Sequence, residues 1–238
     1  TVFQSIWSKN ENVKLGFSIS ESTVIRNAPN PAIFYKSLEK KRPGPKIRLV
    51  ASSFSSNPKK GFDVYQYLDA QLNFDVFSFT FIGNSPIQFK NIINLGLLPS
   101  HEVSNVLRGC DIFIGASYVE SCSNALIEAM HCGLIPICRF NSSHPELISD
   151  SNLFFKDESD VINVLDYAVN MLSEGVVLEV PSGFPTIGSD YVDYGTALAH
   201  KDRKKKSYIS FVLGVAKIFT FRLIIEIYEK YRKIKRYD

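Results

Sequence analysis

"DIFIGASYVESCSNALIEAMHCGLIPIC", residues 111–138, decides the fold. It opens on a short apolar run, DIFIGAS (111–117), that reads as a buried strand. A polar turn, YVESCS, follows. SNALIEAMHCG is then a helix that starts from Ser123 and stops at Gly133. LIPIC (134–138) is a second strand. Two strands joined through a helix point to a parallel pair, because parallel strands need a long crossover and a helix usually supplies it.

The same alternation extends outward in both directions. KIRLVAS (46–52) is a strand, and KGFDVYQYLDAQLN (60–73) puts Phe62, Tyr65, Leu68 and Leu72 at helical spacing. DVFSFTFIG (75–83) is too densely apolar for an exposed edge, and NIINLG (91–96) is a third strand. PSHEVSNVLRGC (99–110) predicts a helix with Ser100 as its N-cap and Val103, Val106 and Leu107 on its apolar side. NLFF (152–155) is a sixth strand, and SDVINVLDYAVNMLSEG (159–175) an amphipathic helix ending at Gly175. Residues 46–175 are therefore expected to form an α/β domain, a Rossmann-like parallel sheet with helices on both faces. Ligands of such sheets sit beyond the carboxyl ends of the strands, so the strand-to-helix turns are where function is sought.

The flanks read differently. Residues 1–36 begin like the middle of a domain, as a truncated product or split subunit would, and SLEKKRPGP (37–45) is a linker. Residues 176–206 read as an irregular basic linker, and 207–238 as an amphipathic helical tail. Residues 201–238 hold 12 Lys/Arg against 4 Asp/Glu, whereas the preceding 200 hold 15 against 20. Such a tail fits an anionic membrane surface, packing on another domain, or a place in the core. A transmembrane span is disfavoured by Lys217, Arg222 and Glu226. Nucleic acid is not expected as a partner, since no binding module accompanies the charge.

The chain is 45% hydrophobic, which excludes disorder for its bulk. Cys110, Cys122, Cys132 and Cys138 lack CxxC spacing and read as reduced packing residues in a cytoplasmic setting. His101, His131, His144 and His200 show no ligand spacing, so no metal and no cofactor are expected.

The turn at 118–123 carries the chemistry. The free amides where its helix begins, with the helix dipole, suit an anion such as a phosphate. Glu120 hangs over the same cleft, and Glu128 shares a helix face with Asn124. Carboxylates there suit hydroxyls, as a sugar or ribose offers. Capped helices with a nearby glutamate are also common without any function, and these residues alone leave both readings open.

The stretch SYVESCSNALIEAMHCGLIPI resembles the donor-site motif of the group 1 (family 4) glycosyltransferases of GT-B fold. Ser117, Glu120, Glu128, Ala129, Met130, Gly133, Pro136 and Ile137 carry the match. NPKKGFDVYQYL is similar to the family's Lys-Gly-Phe-Asp element, VIRNAPNPAIF to its interdomain segment, and HPELI (144–148) to the stretch after its fifth strand. The resemblance covers roughly residues 1–173, and only the C-terminal, nucleotide-sugar-binding half of such an enzyme, with 1–36 the remnant of the first domain. It implies hexosyl transfer from a nucleotide-diphosphate sugar, with retention, to a glycan or lipid-linked acceptor, as in cell-envelope polysaccharide synthesis. In it Glu120 and Lys60 are catalytic, the latter neutralising the leaving diphosphate. Glu128 binds the ribose, and Ser121, Cys122, Ser123 and Asn124 hold the sugar or diphosphate. Lys59 fits the lysine position less well, and Glu146 reads as a capping residue. Phe54 stands where relatives carry an arginine, so Lys60 acts alone or with Ser53 or Ser55. ESCSN replaces the usual Gly and aromatic. The acceptor-binding domain is missing or separate, and a non-catalytic nucleotide-sugar-binding or partner-binding module is the alternative.

Overall fold

The computed structural model describes residues 1–19, 21–37 and 44–202. Most of the expected linker and the whole tail expected at 207–238 lie outside these residues. The chain divides into two compact units, Thr1–Asp190 and Tyr191–Asp238.

The first unit is built on a six-stranded parallel sheet. Its strands are β3 (Ile47–Ser53), β4 (Phe77–Gly83), β5 (Ile93–Asn94), β6 (Ile112–Gly115), β7 (Ile135–Arg139) and β8 (Phe154–Phe155). Their order is β5-β4-β3-β6-β7-β8, so the direction of winding reverses between β3 and β6. Right-handed crossovers then put α2 (Phe62–Gln71) on one face, and α3 (Ser100–Gly109) and α4 (Asn124–His131) on the other, while α5 (Val161–Glu174), after the last strand, packs on β7 and β8. The inner strands are near-continuous apolar runs because both faces are covered. Leu49, Val50, Phe79, Phe81, Ile112, Phe113 and Ile114 are all buried. At the amino ends, Arg48 grips Asp111 with Nε and a terminal nitrogen, both at 2.9 Å, which fixes the register of β3 beside β6.

Several boundaries depart from the sequence-based expectation. The strand expected at 91–96 shrinks to two residues at the sheet edge. The Asp69 carboxylate accepts from the amides of Lys90, Asn91 and Ile92 at 2.7–2.8 Å, so these donors are unavailable to a ladder. Pro99, not Ser100, caps α3, and its carbonyl accepts from Glu102 and Val103. Residues 184–202, expected to be irregular, lie within helix α6 (Phe184–Asp202). Gly188 and Gly195 lower its propensity, while Pro185 is tolerated in a first turn, where its missing amide costs nothing.

Near the amino terminus, three short elements form a βαβ unit. Val2–Phe3 (β1) pairs in parallel with Thr23–Val24 (β2), and α1 (Ile6–Lys14) joins them. Ser5 caps α1 by accepting from the Ser8 amide at 3.0 Å. Glu146, from the loop after β7, adds a second cap, accepting from the amides of Ile6 and Trp7 at 2.9 and 2.7 Å. The expectation that Glu146 is a capping residue holds, and this carboxylate ties the amino-terminal segment to the main sheet.

Candidate functional site

The reversal of winding between β3 and β6 opens a crevice at their carboxyl ends, where doubly wound sheets bind ligands. Two turns form it, and they are locked together. After β3 the chain makes a 3-10 turn, Pro58–Lys60, capped by Asn57, whose Oδ1 accepts from the Lys59 amide at 2.9 Å. Gly61 follows with φ +77°, and a Cβ there would fall 2.0 Å from the Ala116 carbonyl oxygen. No other residue fits that approach. The Tyr118 amide donates to the Lys59 carbonyl at 2.8 Å.

A charged cluster braces the second turn from behind. The Arg139 side chain is 4% exposed. It donates to the Ala116 carbonyl at 3.0 Å, the Lys156 carbonyl at 2.9 Å and Asp63 Oδ2 at 2.8 Å, and its guanidinium lies 3.9 Å from the centre of the Tyr118 ring. The Tyr118 hydroxyl donates to the same Asp63 oxygen. A buried guanidinium needs this many acceptors to remain charged at low cost. Neither Arg139 nor this role of Asp63 is legible in the sequence motif.

Between the turns lies a hollow of about 220 Å³. Lys60 and Glu120 both line it, and their side chains pair at 2.5 Å. Ser53 and Ser55 line it from the β3 side; the Ser53 hydroxyl donates to the Ser55 carbonyl at 2.8 Å. The exposed ring of Phe54 stands beside them. From the α4 side come Cys122, Ser123, Asn124 and Ala125. Ser123 caps α4, its Oγ accepting from the Leu126 amide at 3.3 Å. The amides of Asn124 and Ala125 have no partner among the described residues, so two donors remain at the positive end of the helix. Asn124 Oδ1 accepts from Asn27 Nδ2 at 2.7 Å, which ties the α4 start to the segment after β2. Burial pushes the Cys122 thiol up, so it is a packing thiol rather than a nucleophile.

The expected site residues therefore divide. Lys60, Glu120, Cys122, Ser123 and Asn124 converge on the hollow. Ser121 is exposed and does not line it. Glu128 does not line it either; it is half-buried on α4, with no hydrogen-bond or ion-pair partner among the described residues. Burial pushes its carboxyl up from 4.5 to about 7. Among the described residues no cluster of three His, Cys, Asp or Glu side chains could hold a metal ion.

The loop after β7 closes the hollow. Ser142 sits at φ +50°, uncommon for a residue with a side chain, and its Oγ accepts from the Glu120 amide at 3.0 Å. His144 lines the hollow although it is 1% exposed. The ligand spacing sought among the histidines could not mark it, because its surroundings come from folding.

Residues 88–173 match the family model for glycosyl transferases group 1. No curated protein matches the chain by sequence. Among solved structures, the sucrose-phosphate synthase from Thermosynechococcus elongatus superposes with a TM-score of 0.68 at 12% identity, over 84% of this chain and 58% of the synthase. A glycosyltransferase from Rickettsia africae gives 0.60 at 16% identity, over 72% of this chain and 53% of that one. TarM from S. aureus, in a complex containing UDP, gives 0.57 at 13% identity, over 72% of this chain and 36% of TarM. The chain thus has the Rossmann-like fold of GT-B glycosyltransferases. It carries within that fold a segment of group 1 glycosyl transferase type.

Proposed function

We propose that this chain binds a nucleoside-diphosphate sugar in the hollow between β3 and β6 and serves as the donor-binding half of a retaining glycosyltransferase. The observation that carries the reading is the convergence of Lys60, Glu120 and the unpartnered α4 amides on one hollow at the switch point. A diphosphate resting on those amides meets the Lys60 ammonium, and Glu120 accepts from sugar hydroxyls. The ribose lies along α4 toward Glu128, whose carboxylate lacks a partner. That UDP occurs in the TarM complex supports a nucleotide here.

In the transfer, the bond between the anomeric carbon and the diphosphate oxygen breaks, and a bond to the acceptor oxygen forms on the same face. The acceptor proton passes to the departing diphosphate. Charge develops on that group, and a fixed ammonium in a partly dry hollow stabilises it. A hexose and a glycan or lipid-linked acceptor fit this reading. The acceptor is held by a domain or subunit beyond the described residues, because a transferase of this architecture reacts between two domains. The basic segment at 201–238 suits an anionic membrane at the cytoplasmic face.

Titration calorimetry of the whole chain with UDP and GDP tests the shared core of the proposal. Saturable binding of at least one supports it, and binding of neither overturns it.

A further inference from the structure

His144 lines the hollow from the turn His144–Glu146. Its Nδ1 is 3.0 Å from the carbonyl oxygen of Arg139. A carbonyl only accepts, so Nδ1 carries the proton and Nε2 presents a lone pair. Nε2 has no partner among the described residues. Among the described residues the fully buried side-chain atoms without a partner are Arg26 Nε and Ser143 Oγ; Nε2 is not one of them, so it keeps the trace of exposure that a residue 1% exposed has. Burial lowers the imidazole's pKa, which keeps the ring neutral, with its bond to Arg139 and the Glu120 charge opposing and Lys60 assisting.

An acceptor at this position discriminates between the parts of a ligand. Phosphate oxygens are acceptors and gain nothing from a bare imidazole nitrogen. Sugar hydroxyls donate, and Glu120, whose main-chain carbonyl accepts from the Ser143 amide at 3.3 Å, carries the carboxylate beside which the sugar is placed. We propose that His144 is a specificity residue for the transferred sugar, its Nε2 accepting a hydrogen bond from a hexose hydroxyl. This rests on the donor-site reading above and adds to it a sugar contact from the loop after β7.

Calorimetry of wild type, His144→Leu and His144→Gln with UDP, GDP, UDP-glucose and GDP-mannose tests this. Wild type is expected to bind at least one nucleotide sugar more tightly than its nucleotide. His144→Leu should lose about tenfold for that sugar nucleotide and stay within about twofold for the nucleotide. His144→Gln, which restores an acceptor, should recover part of the loss. Equal effects on both ligands, or none, overturn the inference while leaving the donor-site reading intact. Failure of all four ligands to bind wild type sinks both. Should His144→Leu fail to fold, nitrogen-15 spectra of the wild-type histidines decide. The Nε2 resonance should move when the nucleotide sugar binds and hold with the nucleotide alone; an unmoved resonance in both overturns the inference.

Discussion

Lys60 and Glu120, 60 residues apart in sequence, neutralise each other across the hollow at 2.5 Å. The ligand proposed here therefore enters a site whose cation is already engaged. A diphosphate must share or displace Glu120 as it takes Lys60.

Replacement of each partner should then act in opposite directions. Lys60→Ala leaves Glu120 unopposed and is expected to weaken UDP or GDP by one to two orders of magnitude, roughly, while uridine or guanosine changes little. Glu120→Gln releases Lys60, and nucleoside-diphosphate affinity should hold or rise although the sugar contact is lost. Calorimetry with both ligand classes reads this; equal loss of nucleoside and nucleotide in Lys60→Ala excludes a phosphate contact.

Glu128 should give the chain a pH signature. Its carboxyl is raised in the folded state to about 7 from 4.5, so the fold favours the protonated form. The associated stability is fully present below pH 4.5 and is lost as pH rises through about 7, at up to about 1.4 kcal/mol per unit. Urea unfolding from pH 4 to 8 should show this slope, and Glu128→Gln should remove it. If ribose hydroxyls donate to this carboxylate, nucleotide binding favours the charged form, and affinity rises over the same window in wild type only.

The Arg139 cluster predicts a stability effect. Asp63→Ala strips the charge partner from a guanidinium that is 4% exposed. It should cost about 2–4 kcal/mol, the lower end because Asp63 is itself partly solvated. Tyr118→Phe loses one hydroxyl bond and should cost about 1 kcal/mol. Denaturant midpoints measure both, and an Asp63→Ala value no larger than that of Tyr118→Phe removes the cluster's assigned role.

Gly61→Ala is expected to be worse than its single methyl suggests. The added Cβ would meet the Ala116 carbonyl at 2.0 Å, and φ is +77°. A loss of at least about 2 kcal/mol should appear in thermal or urea unfolding, together with weakened nucleotide binding as Lys60 shifts. Wild-type stability in this variant would mean the two turns do not touch.

The central strands and the helices α3, α4 and α5 were legible because buried parallel strands and amphipathic helices leave periodic apolar marks. The edge strand β5 was legible but its length was not, since the Asp69 carboxylate takes the amides of Lys90, Asn91 and Ile92 ahead of it through a contact across sequence. Helix α6 was hidden by its glycines. In the site, Lys60 and Glu120 were legible from motif spacing. Ser121 and Glu128 shared the motif but not the hollow: Ser121 is exposed in the turn before α4, and Glu128 shares a face with Asn124 but lies a full turn farther along the helix. His144, Ser142 and Arg139 carried no local signal, since each acquires its meaning only when β7 lies beside β6.

The seam between the turns at 58–61 and 116–118 is made of main chain: a glycine against a carbonyl and one amide bond to another. Side-chain replacement cannot widen such a seam, so that wall of the cleft is fixed for any ligand. Adaptation to a bulkier or differently shaped guest must come from side chains that line the hollow, such as Phe54 and His144.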